Sequence, residues 1–250
     1  MLEYSIVISA YNEAKNITAS LTQITSFMRT FAKEFEIVIV DDGSEDDTAN
    51  LVESYAKENP EVKLLRNKHK GKGPGIYAGI MAAEGKFIYM ADADLSTPIS
   101  EIKRLANWII EHEFDIVIAS REGLGAKRIK EPLYRHLMGR VFNFFVRVIA
   151  LPGIQDSQCG FKLFKKEAAK EIFEKLSIYG KDAPEISEAY LGAFDVEVLY
   201  IAKKLGYKIK TVPVEWTYMP TERLNPIKDS ILMLRDVIKV RLNDRKGVYL

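Results

Sequence analysis

Five short apolar runs constrain this chain more than anything else in it: residues 4–9 (YSIVIS), 35–40 (FEIVIV), 62–66 (VKLLR), 87–91 (FIYMA) and 115–120 (DIVIAS). Helical patterns lie between them. Ile17, Leu21, Ile24, Phe27 and Phe31 fall four, three, three and four apart, which is one apolar helix face. Asp46 or Asp47 caps a second helix through Glu58, and Pro60 stops it. A small-residue helix runs to Ala83, and Ile102, Leu105 and Ile109 mark a fourth. Strands alternating with helices of this length predict an α/β fold: a Rossmann-like, mostly parallel central sheet flanked by helices.

Ligands of such sheets bind outside the carboxyl ends of the strands. Those ends carry Ala10, Tyr11 and Glu13, then Asp41 and Asp42, then Lys72, then Asp92, Ala93 and Asp94. Side chains alternate along a strand, so Asp92 and Asp94 are expected on one side and Ala93 on the other. Two carboxylates so placed suit a hard divalent ion beside a polyphosphate. An isolated DAD reads more readily as a turn capping the helix near Pro98; the other strand ends reverse that reading. The glycines at 71, 73 and 75 give GxGxG in a basic loop (residues 67–75, NKHKGKGPG), not GxGxxG after the first strand. No GxxxxGK[ST] is present either, so dinucleotide enzymes and P-loop NTPases are disfavoured.

The 250 residues carry a net charge of +1, which argues against nucleic acid as a partner. The lone Cys159 cannot form an internal disulfide, fits a reducing cytosol, and reads as a buried small hydrophobe. Met1 runs straight into a strand pattern, so no signal peptide is expected. No stretch approaches the roughly 20 apolar residues that span a bilayer, so membrane contact is expected to be peripheral. The second half is different in character. Residues 121–147 hold seven basic side chains against Glu122 and Glu131. Within them, residues 132–151 read as a helix in which His136, Arg140, Asn143 and Arg147 form one polar stripe and aromatic and aliphatic residues fill the rest. This pattern fits a helix lying in a membrane interface and, equally, a helix packed on the core. Further on, residues 155–164 read as a turn and a strand, 165–176 and 194–205 as helices, and 208–214 as an edge strand because of Pro213. Residues 225–242 read as a closing helix with Ile227, Ile231, Leu234 and Ile238 on one face, and 179–191 and 218–225 as loops.

Taken in order, SAYNEAKNI (9–17), IVIVDDGSEDDT (37–48), GKGPGIYAGIMAAEGKFIYMADADLS (71–96), SR (120–121), DSQCGFKLF (156–164) and FDVEVLYIAKKLGY (194–207) resemble the family 2 glycosyltransferases of GT-A fold. Within that family the similarity is to the polyprenyl-phosphate sugar synthases, the dolichyl-phosphate glucosyltransferases first and the dolichol-phosphate mannose synthases second. The resemblance covers residues 4 to about 218. It implies one catalytic domain over residues 1–250, with a nucleotide-sugar half (1–120) and an acceptor half (121–250). Ala10, Tyr11, Glu13, Asp41, Asp42, Lys72, Asp92 and Ala93 would line the nucleotide-sugar pocket. Asp92 and Asp94 would bind Mg²⁺ or Mn²⁺, and Arg121 and Arg135 the acceptor phosphate. Asp94, Arg121, Arg135 and Asp156 would form the catalytic set. Ser96 stands where the mannosyl branch has a metal-touching glutamine, which leaves its role open.

The implied reaction moves glucose from UDP-glucose to polyprenyl (dolichyl) phosphate, with inversion, on the cytoplasmic face of a membrane. A phosphate monoester has a second pKa of about 6 and is already largely dianionic at neutral pH. It needs positioning by arginine forks more than a base. Asp156, the remaining candidate carboxylate, reads equally as an orienting group and as a turn cap. Alternatives are a GDP-mannose or UDP-N-acetylglucosamine donor, a transferase to a hydroxyl acceptor, and a non-catalytic nucleotide-sugar-binding module. Dependence of turnover on lipid phosphate separates them.

Overall fold

A computed structural model describes residues 2–187, 190, 192–220 and 226–249. The first half alternates as the apolar runs require: β1 (Tyr4–Ala10), α1 (Ile17–Phe31), β2 (Phe35–Asp41), α2 (Thr48–Glu58), β3 (Val62–Arg66), α3 (Lys72–Ala82), β4 (Phe87–Asp92), a 3₁₀ turn (Ile99–Glu101), α4 (Ile102–His112) and β5 (Ile116–Ser120). The second half adds β6 (Lys127–Ile129), α5 (Leu133–Ile149), β7 (Lys162–Lys165), α6 (Lys166–Glu174), α7 (Phe194–Lys204), β8 (Ile209–Pro213), β9 (Glu215–Thr217) and α8 (Pro226–Arg245).

Seven strands form one sheet in the order β3-β2-β1-β4-β7-β5-β8. All pairs are parallel except those of β7, which runs antiparallel between β4 and β5. The central strands are buried on both faces, which is why they read as unbroken Val/Ile runs rather than as alternation. Val7, Val38, Ile88 and Met90 face the layer that holds α3, α6, α7 and α8; Ile6, Ile8, Ile37 and Tyr89 face α1 and α4. β8 is an edge strand, where Pro213 leaves no ladder bond unmade.

Several local expectations need correction. Of the two candidate caps of α2, Asp47 makes no capping bond and accepts instead from Asn50 Nδ2 at 2.9 Å, while Asp46 accepts from the Thr48 N–H at 3.0 Å. β4 ends at Asp92, so Asp94 lies in the following turn, where Leu95 has a φ of 49°. The face of α8 carrying Ile231 and Ile238 is exposed, and Asp236, Val237 and Val240 are the residues it buries. The two-stranded parallel pairing of β6 with β9 was not expected at all, because three-residue strands carry too little pattern to be read. Residues 221–225 of the expected 218–225 loop, and 188, 189 and 191 of the other, lie outside the described residues.

Candidate active site

The site grows from the register of the central strands. Ala10 pairs with Asp41 across β1 and β2, and Ser9 with Asp92 across β1 and β4, so three strand ends meet at one rim. α3 is drawn onto that rim because Gly75 has no side chain; a Cβ there would strike Ser9 Oγ. Lys72, in the first turn of α3, therefore reaches Asp92, and its ammonium donates to Asp92 Oδ1. Gly160, just before β7, backs onto the same carboxylate from the other side; a Cβ there would fall inside contact distance of both Asp92 oxygens.

At the far end of the rim, Asp42 gathers the basic loop. Its carboxylate accepts from Lys70 N–H at 3.0 Å, from Gly71 N–H at 2.8 Å and from His69 Nδ1 at 2.8 Å. Burial pushes the Asp42 carboxyl above its ordinary pKa, against these donors. The His69 ring stacks on Tyr11 with centroids 3.9 Å apart and planes within 8°. Among the described residues, Asp41 Oδ1 and His69 Nε2 are buried with no hydrogen-bond partner. Glu13 N–H is held by Thr48 Oγ1 at 2.8 Å.

The acid pair is asymmetric. Burial drives the Asp92 carboxyl up, but the Lys72 ammonium, with Lys162 and Arg121 behind it, brings its pKa below the ordinary value. Asp94 is held above its ordinary value by burial and then by the charge of Asp92. Lys72 is pulled down by burial and lifted further by Asp92 and Asp195, ending above a free lysine. Ala93 turns into the core, and Ser96 N–H donates to Asp94 Oδ1 at 2.9 Å. Two neighbouring carboxylates, one raised by the charge of the other, form a donor set that suits Mg²⁺ or Mn²⁺. Among the described residues no three His, Cys, Asp or Glu side chains form a group that could hold a metal ion by themselves.

Arg121, at the end of β5, is clamped by Asp156. Asp156 Oδ2 accepts from the Arg121 backbone N–H at 2.9 Å and from Nε at 2.8 Å, and Oδ1 from Nη2 at 2.8 Å. The guanidinium lies over the Trp216 ring, 5.2 Å from its centroid. Burial opposes the charge on Asp156, but Arg121 holds its carboxyl well below the usual carboxylate range. Asp156 also accepts from Gln158 N–H at 3.2 Å, so it caps the turn as well. Arg135 lies over Tyr218, 5.0 Å from the ring centroid. Trp216 lies within β9, opposite Arg128, and Tyr218 follows it; sequence reading gave neither a role. It also missed Lys162 and Asp195, a fully buried ion pair at the back of the rim. A lysine inside the apolar run FKLF was the available signal.

The polar stripe of α5 lies along its protein side: Asn143 is buried and His136 pairs with Glu131 at 3.3 Å, while Arg140 pairs with Glu122 at 3.2 Å from an exposed position. Val146 is buried, and Phe142 and Ile149 pack against the core, but a second apolar face points outward, with Leu133 86%, Leu137 65%, Phe144 53% and Val148 69% exposed. Among the described residues, no helix is long and apolar enough to cross a membrane.

The family described as Glycosyl transferase family 2 matches residues 5–173. The chain belongs to glycosyl transferase family 2, and it is a glycosyltransferase. It is 35% identical to dolichyl-phosphate beta-glucosyltransferase of Dictyostelium discoideum, over 98% of this chain and 76% of that one. It is 31% identical to the Homo sapiens protein of the same name, over 99% and 77%. Among solved structures it resembles mannosyl-3-phosphoglycerate synthase from Rubrobacter xylanophilus at a TM-score of 0.66 and 19% identity, covering 98% of this chain and 75% of that one. It also resembles glucosyl-3-phosphoglycerate synthase from Mycobacterium tuberculosis, solved with Mn²⁺, UDP and phosphoglyceric acid, at a TM-score of 0.63 and 18% identity, covering 98% and 79%. The sheet with its flanking helices is thus the GT-A fold of this family.

Proposed function

We propose that this family 2 glycosyltransferase moves glucose from UDP-glucose to a polyprenyl phosphate of the dolichyl type, inverting the anomeric centre. The relatives named dolichyl-phosphate beta-glucosyltransferase support the acceptor and the sugar. The observation that carries the chemistry is the Asp156–Arg121 clamp. Asp156, the remaining candidate carboxylate, is fully occupied by a guanidinium and held far from basicity. A hydroxyl acceptor would be left without a base there, whereas a phosphate dianion needs none.

In this reading the uridine lies against Tyr11, with Ala10, Glu13, Asp41 and Asp42 around the base and ribose. The unpartnered Asp41 Oδ1 and His69 Nε2 are polar atoms that a nucleoside can satisfy. Lys72 leaves Asp92 for the diphosphate, and Ala93, whose side chain is turned into the core, offers the pocket its backbone alone. Asp92 and Asp94 hold Mg²⁺ or Mn²⁺, which supplies Lewis-acid stabilisation of the departing diphosphate when bound. Arg121, fixed by Asp156 and Trp216, and Arg135, fixed on Tyr218, present N–H donors to the acceptor phosphate. A phosphate oxygen forms the new bond to the anomeric carbon as the bond from that carbon to the UDP oxygen breaks.

The lipid tail lies along the outward apolar face of α5, which also seats the enzyme on the cytoplasmic face of a membrane as a peripheral protein. Residues 1–120 then form the donor half and 121–250 the acceptor half. Radiolabelled sugar transfer into an organic-extractable lipid tests the proposal, with UDP-glucose, GDP-mannose and UDP-N-acetylglucosamine offered side by side. Transfer from UDP-glucose alone is expected. Transfer from another donor alone would reassign the sugar, and no lipid product with any donor would overturn the acceptor.

A further inference from the structure

Behind the rim, outside every residue given a role above, sits a buried ion pair. Lys162, on β7, is opposite Met90 in the antiparallel register with β4, two residues before Asp92. Its ammonium donates to Asp195 Oδ1 and to the Cys159 carbonyl, the latter at 2.5 Å. Asp195 stands in the first turn of α7. That turn is pressed against the first turn of α3: a Cβ at Gly73 would lie 2.8 Å from Phe194 Cβ, and the Lys72 ammonium is 5.8 Å from the Phe194 ring centroid. Lys72 therefore emerges beside the first turn of α7, paired with Asp92 and within reach of the charge of Asp195. Buried polar groups without partners are costly, and an ion pair replaced by apolar residues of similar volume is often no less stable. Fold stability alone is a weak reason for placing a lysine–aspartate pair here.

We infer that Asp195, itself held by Lys162, is a positioning residue for the Lys72 ammonium and thereby sets affinity for the donor diphosphate. When Asp92 is taken up by other charges, Asp195 is the carboxylate that keeps Lys72 at the rim instead of letting it swing into solvent. Lys162 neutralises part of Asp195, so that Lys72 is oriented by it without being captured. This inference rests on the donor reading given above.

The test is calorimetric binding of UDP and UMP, without turnover, in Mg²⁺-free and Mg²⁺-containing buffer. Failure of the wild-type protein to bind UDP would defeat the donor reading itself. With wild-type binding in hand, Asp195→Asn is expected to weaken UDP about tenfold while leaving UMP within about twofold, the size of coupling found within one network of charged groups. In a Lys72→Ala background the same substitution is expected to add nothing. The double variant Asp195→Asn with Lys162→Met, which leaves no buried unpaired charge, is expected to show the same selective loss of UDP. A pure through-space effect has the opposite sign, since removing a negative charge beside the diphosphate would tighten UDP. Unchanged or tighter UDP binding, an equal loss for UMP, or an undiminished loss in the Lys72→Ala background would each overturn the inference.

Discussion

Asp156 closes both carboxylate oxygens on Arg121, through Nε and Nη2 at 2.8 Å each and through the backbone N–H at 2.9 Å. The pair is a bidentate fork with Asp156 fully buried. Removing one member leaves a buried, uncompensated charge, so Asp156→Ala is expected to cost about 3–5 kcal/mol. For a chain of this size that lowers Tm by roughly 6–20 °C, readable by calorimetry. The pH dependence follows from the folded carboxyl lying below its unfolded value. Proton uptake then favours the unfolded chain, so the clamp stabilises above pH about 4 and its contribution is lost as pH falls further. The variant should lose that acid-limb dependence. Equal acid sensitivity in both proteins would remove the clamp from the account.

Arg135 differs from Arg121 in having no carboxylate clamp among the described residues; it lies on the Tyr218 face. Arg135→Ala should therefore leave UDP affinity and Tm nearly unchanged. It should reduce kcat/KM for the lipid acceptor by about tenfold to a hundredfold, as expected for loss of one charge-assisted phosphate contact. An unchanged acceptor KM and rate would move the acceptor phosphate elsewhere.

The outward face of α5 makes a separate prediction. Exposed positions contribute within about 0.5 kcal/mol to stability, so Leu137→Glu with Phe144→Glu should leave Tm and UDP affinity unchanged. If the face lies on lipid, the pair forfeits about 1.5–3 kcal/mol per buried side chain, and co-sedimentation with anionic phospholipid vesicles should fall by more than tenfold. Retained vesicle binding would take the membrane surface away from this helix.

How much of this was legible in the sequence depends on what kind of pattern each part leaves. The parallel frame was readable because buried parallel strands are continuous apolar runs, and the strand ends name the rim residues directly. The composition of α5 was readable, but its orientation was not: the same stripe of His136, Arg140, Asn143 and Arg147 serves a helix facing either way. The orientation of α5 is set by contacts that come from elsewhere in the chain: Glu131 and Glu122 pair with the stripe, and Asn143 and Val146 are buried against the core. The antiparallel insertion of β7 between β4 and β5 left no mark either, since pairing partners lie far apart in the chain. With the place of β7 in the sheet unread, Lys162 and Asp195 could not be connected to Lys72. Trp216 and Tyr218 were missed because cation–π neighbours have no spacing rule.

Gly160 offers a sharper probe of Asp92 than removing the carboxylate itself. A methyl group at residue 160 would overlap both Asp92 oxygens, and Asp92 is fixed on its other side by Lys72. Overpacking of this kind typically costs about 1–3 kcal/mol. Gly160→Ala should therefore lower Tm by several degrees, roughly 2–12 °C. Asp92 must rotate away, so Mn²⁺-dependent turnover should fall more than the loss of folded protein explains. A variant with wild-type turnover per folded molecule would show that the carboxylate does not need this placement.

Asp94 should behave in the opposite way to Asp156. Burial and the neighbouring Asp92 charge raise its pKa, so in the chain alone Asp94 is a destabilised carboxylate rather than a stabilising one. Asp94→Ala removes a like-charge contact and one buried acid, so Tm should stay level or rise. Function should move the other way. With one of two carboxylates gone, metal-dependent transfer should fall at least about a hundredfold, the usual cost of losing a main electrostatic stabiliser. Chelation with EDTA should reproduce that loss in the wild-type protein without lowering its Tm in the absence of nucleotide. A site that trades stability for charge placement predicts this split between two readouts. A variant that lost stability and kept its turnover would assign Asp94 to the fold and leave Asp92 as the metal's only protein ligand.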